Sequence, residues 1–166
     1  VIEEFLKGRE FSVESLTFKG KTDIIQITEK FITPYPFTVE IGHLQPARLT
    51  ISERDAIVIE VNKAINAIGI NNCASHAEII LTEKGPYLVE IGARLGGDFI
   101  SSHLTLASTG ISMDRQAILI ALGLKPDYVK QFNHYSMIKY VELEEGKKVD
   151  KLYPLDLLKI KKEHVF

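Results

Sequence analysis

The stretch His76-Ala77-Glu78-Ile79-Ile80-Leu81-Thr82-Glu83-Lys84-Gly85-Pro86-Tyr87-Leu88-Val89-Glu90-Ile91-Gly92 reads as two strands joined by a tight turn. If Glu83-Lys84-Gly85 forms a three-residue loop, with Gly85 supplying the left-handed conformation, Glu78 falls directly opposite Glu90. Period two then sets Ala77, Ile79, Leu81, Tyr87, Val89 and Ile91 on one face, apolar enough to pack a core. His76, Glu78, Ile80, Leu88, Glu90 and Gly92 share the other, semi-polar face.

Two carboxylates opposed across a hairpin have Cβ atoms ~5 Å apart, and like charges there destabilise the pair unless something offsets them. A divalent cation does so. Hard oxygen donors suit Mg²⁺ or Mn²⁺ rather than zinc, commonly with phosphate oxygens completing the shell. Arg94 follows Glu90 closely and can bring a fixed positive charge to the same phosphates. Spacing alone leaves two alternatives open. Both Glu side chains can point to water from an edge hairpin, or they can do general acid/base work, which requires one carboxyl pKa raised by burial.

Outward from the hairpin, the alternation at Glu10–Phe18 and the return at Asp23–Ile32 predict a second antiparallel pair turning at Lys19-Gly20-Lys21-Thr22. The stretch from Thr33 to Pro46 holds three prolines and a glycine without helical period, which predicts an ordered loop. Ser52, with Asp55 three residues later, marks a helix start, and apolar residues at helical spacing run from Ala56 to Gly69. Shorter helical runs follow at 100–108 and 112–122, and 134–143 reads as a strand. These elements predict an α+β fold: a mainly antiparallel sheet with helices packed on one face, carried by strands at 2–18, 23–32, 73–92 and 134–143.

The chain has 166 residues, 45% hydrophobic and 25% charged, with net charge -2. That is enough for a real core and too apolar for disorder. No uncharged run approaches the ~20 residues of a membrane helix. The interspersed charges argue against a nucleic-acid groove or an anionic membrane as partner, and small-molecule chemistry stays open. Cys73 alone forms no internal disulfide, which fits a reducing, cytoplasmic setting, and it reads as core. His103 with Ser101 and Ser102 lacks the turn and ordered acid of a nucleophile and reads as ordinary helix. Lys30 reads as solvated, as does the tail cluster of Lys159, Lys161 and Lys162, while His76 is placed to orient Glu78.

The runs Ile2-Glu3-Glu4-Phe5-Leu6-Lys7-Gly8-Arg9-Glu10-Phe11-Ser12-Val13, His76-Ala77-Glu78-Ile79-Ile80 and Glu90-Ile91-Gly92-Ala93-Arg94-Leu95-Gly96-Gly97 resemble, in order and spacing, the C-terminal lobe of ATP-grasp enzymes. The resemblance covers roughly residues 1–125, with 126–166 as a C-terminal extension that begins a further small subdomain. It implies that Glu3, Glu4, Phe5 and Leu6 form the hinge whose backbone pairs with adenine, that Glu10 binds the ribose hydroxyls, and that Ile80 packs under the base. It likewise implies Glu78 and Glu90 as ligands of Mg (or Mn), and Arg94 as the residue holding the transferred phosphate. Gly92 stands where many members have an Asn ligand. Its loss is similar to the L-amino acid ligase branch, as are Thr38-Val39-Glu40-Ile41-Gly42-His43 before Pro46 and Asn72-Cys73-Ala74-Ser75-His76-Ala77-Glu78-Ile79; that branch implies a substrate-site role for His43. Glycinamide ribonucleotide synthetase and carbamoyl-phosphate synthetase share the fold and remain rivals.

The function so implied is an ATP- and Mg-dependent carboxylate-amine ligase that forms an acylphosphate, with small-molecule carboxylate and amine substrates, amino acids among them. The chain opens at the hinge with Val1-Ile2-Glu3-Glu4 and carries no phosphate-binding lysine and glycine-rich loop of a preceding lobe. It is expected to be an incomplete and by itself inactive piece that needs N-terminal lobes or self-associates. The alternative is a non-catalytic nucleotide-binding or partner-binding lobe.

Overall fold

The computed structural model describes residues 2–141 together with Gly146, Lys148, Asp150 and Lys151. Six strands form one sheet in the order β5-β4-β1-β2-β3-β6, with every neighbouring pair antiparallel. They are β1 (Arg9–Phe18), β2 (Lys21–Ile32), β3 (Glu40–Gln45), β4 (Cys73–Thr82), β5 (Gly85–Gly92) and β6 (Ser136–Lys139). The helices are α1 (Ile51–Ile68), α2 (Thr105–Thr109), entered from a π-helical turn at Ile100–Leu104, and α3 (Met113–Ala121). No helix among the described residues is long and apolar enough to cross a membrane.

The α+β class and the antiparallel sheet are those expected. Helices cover both faces, however, because strand alternation in β1 and β4 feeds two separate cores. Phe11, Val13, Ala77 and Ile79 pack with Ile27 under Ile57, Val61 and Ile65 of α1. On the opposite face Leu16, Ala74 and Ile25 pack with Ile111 and with Met113 and Ile120 of α3. Each of these buried side chains larger than alanine contributes about 1.5–3 kcal/mol. The second face is apolar only at that end, and its remaining half stays polar.

Several boundaries differ from expectation. The first strand starts at Arg9 rather than residue 2, and residues 2–7 form an irregular exposed segment. The stretch expected as a loop contains β3, which pairs with β2 and β6. Its Gly42, His43 and Gln45 are buried, so their polar character hid a central strand. The α1 cap is Thr50 rather than Ser52: the Thr50 side chain accepts from Glu53 N–H and Glu53 reaches back to the Thr50 backbone, a reciprocal capping box. Gly69 ends that helix with φ 74, where a side chain would be strained. The last strand is shorter than 134–143, and residues 142 and 143, like the lysines at 159, 161 and 162, lie outside the described residues. β6, in the expected extension, is part of the main sheet.

The hairpin at 76–92 reaches its expected pairing by another route. The turn has two residues, with Thr82 opposite Gly85, and a bulge at Val89 restores Glu78 opposite Glu90. The bulge also exchanges two side chains: Tyr87 sits opposite Ile80 and Leu88 opposite Ile79, so Leu88 joins the α1 core and Tyr87 turns to the polar face.

Candidate active site

The polar half of the second face is built from alternate residues of four strands. Glu10, Ser12 and Glu14 of β1 lie opposite Ile80, Glu78 and His76 of β4, and opposite Lys30, Thr28 and Gln26 of β2. His43 and Gln45 of β3 extend those rows. A cleft of about 690 Å³ lies between the 2–8 segment and the sheet edge, and Glu3, Glu4, Phe5, Leu6, Glu10 and Ile80 all line it. The six residues expected to hold the nucleotide thus share one cavity. The Phe5 ring meets Tyr35 edge-on at 5.6 Å. Gly8 is required where this segment meets β4, since a Cβ there would lie 2.3 Å from the Leu81 carbonyl oxygen. Burial raises the Glu10 pKa; Lys30 opposes it, and Glu78 and Glu40 add to it.

Beyond the cleft the charges form a connected chain. Glu78 is flanked by His76 Nε2 at 3.6 Å and Lys30 Nζ at 3.3 Å. The His76 imidazole facing it, with Lys30 beside it, outweighs burial and holds the Glu78 carboxyl at about 2. Lys30 also donates to Glu40 Oε1 at 2.5 Å, and Glu40 Oε2 lies 3.3 Å from His43 Nε2. Glu90 is exposed and pairs with Arg94 at 3.1 Å. Lys30, Glu40, Glu78, Arg94 and Asp98 line a further cavity of about 120 Å³ that adjoins Ser12, His76 and Gly97.

Beneath this layer Glu14 is fully buried. His76 Nδ1 lies 2.5 Å from its Oε1, and Ser101 Oγ donates to its Oε2 at 2.6 Å. The Gly96 N–H also donates to Oε2, at 3.2 Å, and a Cβ on Gly96 would come within 2.7 Å of Glu14 Oε1. Burial works against a charged His76, but the Glu14 and Glu78 carboxylates win and raise it to about 9.

The sequence-derived set is therefore brought together with one displacement: His43 is on strand β3, fully buried, and reaches the carboxylate pair only through Glu40 and Lys30. Burial lowers its pKa against the opposing pull of Glu40 and Asp98. Lys30, expected to be solvated, is 8% exposed. The sequence alone assigns no role to Glu14, Glu40 or Asp98, and Ser101 reads there as ordinary helix, whereas the Ser101 hydroxyl binds the buried Glu14 carboxylate. Lys30 and Glu14 fall on the same face as Ser12 by strand period, a signal present in the sequence; Glu40 joins this face only through an irregularity at Ile41.

Two hard carboxylate donors in register, one of them firmly ionised, fit a magnesium ion with its phosphate ligands. The cationic neighbours Lys30, His76 and Arg94 neutralise the same charge.

Residues 1–102 match the model of an ATP-grasp domain family. The chain belongs to that family. It is 32% identical over 123 residues to dapdiamide A synthase of Enterobacter agglomerans, covering 70% of this chain and 28% of that protein. The L-amino acid ligase of Bacillus licheniformis superposes with TM-score 0.81 at 29% identity, over 93% of this chain and 41% of that one. The biotin carboxylase domain of Hydrogenobacter thermophilus 2-oxoglutarate carboxylase, solved with MgADP, ADP and bicarbonate, superposes with TM-score 0.62 at 25% identity, over 78% and 28% of the two chains. The chain thus spans well under half the length of these relatives.

Proposed function

We propose that this chain is the nucleotide- and metal-holding lobe of an ATP-dependent ligase that joins amino acids through an acylphosphate. The observation that carries the reading is the register of Glu78 against Glu90, on the face that also lines the cleft with Glu10 and Ile80. The names of the relatives, an L-amino acid ligase and dapdiamide A synthase, support amino acids as the substrate class.

In this reading the Glu3–Leu6 segment and Ile80 hold the adenine, Glu10 the ribose, and Glu78 and Glu90 the magnesium. Bound Mg²⁺ supplies charge neutralisation and Lewis-acid polarisation at the phosphoryl oxygens. The substrate carboxylate oxygen attacks the γ-phosphorus with ADP leaving, and the amine nitrogen then attacks the acyl carbon with phosphate leaving. Arg94 stabilises the charge that develops on the transferring group, and His43 with Glu40 belongs to the substrate end of the site. Exposed Phe5 and Tyr35, which line the cleft, with exposed Phe37 and Val39 next in the same loop, suit a second lobe closing over the nucleotide; in the non-catalytic reading they suit a partner chain.

Calorimetric titration with ATP, with and without Mg²⁺, tests the reading. Metal-dependent binding that disappears in Glu90→Ala is expected. Metal-independent binding, or binding unchanged in Glu90→Ala, overturns the assignment of the carboxylate pair.

A further inference from the structure

Three irregularities of the backbone converge on one point of the polar face. In a regular strand, residues three apart point to opposite faces, yet Glu40 and His43 share one. A register shift opposite Phe31 and Ile32 leaves Ile41 unpaired and turns Glu40 toward His43. Asp98 and Phe99, neither of them glycine, take φ values of 50 and 61, a conformation that L-residues adopt at a cost and that here brings the Asp98 carboxylate to the same place. His43 is fully buried, and neither of its ring nitrogens has a hydrogen-bond partner among the described residues. An orphaned buried imidazole is left with its desolvation uncompensated, which a ligand would recover.

We propose that Glu40, His43 and Asp98 form a transition-metal site, of the zinc or cobalt type, separate from the Glu78–Glu90 pair. One ligand atom from each residue lies within 4.8 Å of the others. The Nε2 of His43 and Oε2 of Glu40 are 3.3 Å apart without hydrogen-bond geometry. Metal bonds of about 2.0–2.1 Å in a tetrahedral shell place two ligands about 3.3–3.4 Å apart, so that edge is already set. Asp98 is exposed and free to close the remaining gap. An imidazole with two carboxylates is a donor set for zinc or cobalt, whereas the all-oxygen Glu78–Glu90 pair suits magnesium. Lys30 occupies Oε1 of Glu40 and leaves Oε2 to the metal. Glu40 and Asp98 also line the cavity of about 120 Å³, which gives room for a water or an anionic group as fourth ligand. The site stands on these observations without the ligase reading; within that reading it lies at the substrate end, where His43 and Glu40 are placed.

Cobalt(II) is the probe, titrated into the 166-residue chain in the absence of nucleotide. One equivalent is expected to give the intense visible absorption of a four-coordinate ion, bleached by equimolar Zn²⁺ and unmoved by excess Mg²⁺. Asp98→Asn removes one ligand while keeping a residue that tolerates the left-handed backbone, so it reports on the site even if His43→Ala fails to fold. Either variant is expected to weaken Co²⁺ binding by more than about tenfold, the least that supporting residues of metal sites contribute. Glu90→Gln is expected to leave the spectrum unchanged. A weak six-coordinate spectrum, a signal that survives Asp98→Asn, or one lost in Glu90→Gln overturns the proposal.

Discussion

Glu14 Oε1 lies 2.5 Å from His76 Nδ1, and both side chains are closed off from water. The same Glu14 carboxylate takes Ser101 Oγ and the Gly96 N–H from the segment that follows Arg94, while the far nitrogen of His76 faces Glu78. One buried group therefore ties the arginine segment to a candidate metal carboxylate. Glu14→Gln keeps the shape but leaves the buried imidazolium with only the more distant Glu78 as counter-ion, which is expected to cost about 3 kcal/mol. Urea unfolding of the metal-free chain measures it. The Mg²⁺-dependent part of ATP affinity is expected to fall about tenfold as Glu78 loses its orientation. Equal losses with and without Mg²⁺ would instead mean general structural damage.

The same pair sets a pH window for the metal-free chain. His76 has its pKa raised from 6.5 to about 9, so its contribution is complete below 6.5 and disappears as pH rises through 9. Glu78 is lowered from 4.5 to about 2, so its contribution is present above 4.5 and disappears as pH falls through 2. Thermal midpoints in EDTA are expected to level off between those ranges and to decline toward pH 9. His76→Gln is expected to remove the alkaline decline; if the decline persists in that variant, another group causes it.

Much of this arrangement is legible in the residues themselves, because period two in β1, β2 and β4 assigns faces without reference to the rest of the fold. Glu78 and Glu90 are found opposite each other even though the turn is one residue shorter than expected, because the bulge at Val89 compensates. The compensation is invisible in the sequence, and Tyr87 therefore lies on the polar face although uninterrupted period two sets it on the apolar one. Strand β3 and Glu40 escape for a related cause. A short strand with Gly42, His43 and Gln45 buried in a polar site has no apolar alternation to reveal it, and its register shift depends on tertiary contacts. Lys30 shows the remaining limit: a lysine in a strand reads as solvated until its neighbours are known to be carboxylates.

That lysine gives the last test. Lys30 is buried and is shared by Glu40 and Glu78, whose side chains are 32% and 31% exposed. Desolvation opposes its charge, but the two carboxylates prevail and raise its pKa. Lys30→Met removes the cation and leaves two partly buried carboxylates facing each other. Breaking a fully buried pair costs about 3–5 kcal/mol, and the partial exposure of both acids reduces the expected loss to about 2 kcal/mol. If Glu78 ligates magnesium, millimolar Mg²⁺ restores the missing positive charge, so the deficit measured in EDTA narrows when the metal is added. Thermal unfolding of wild type and Lys30→Met under both conditions gives the comparison, and a deficit of the same size in both would remove Glu78 from the metal site.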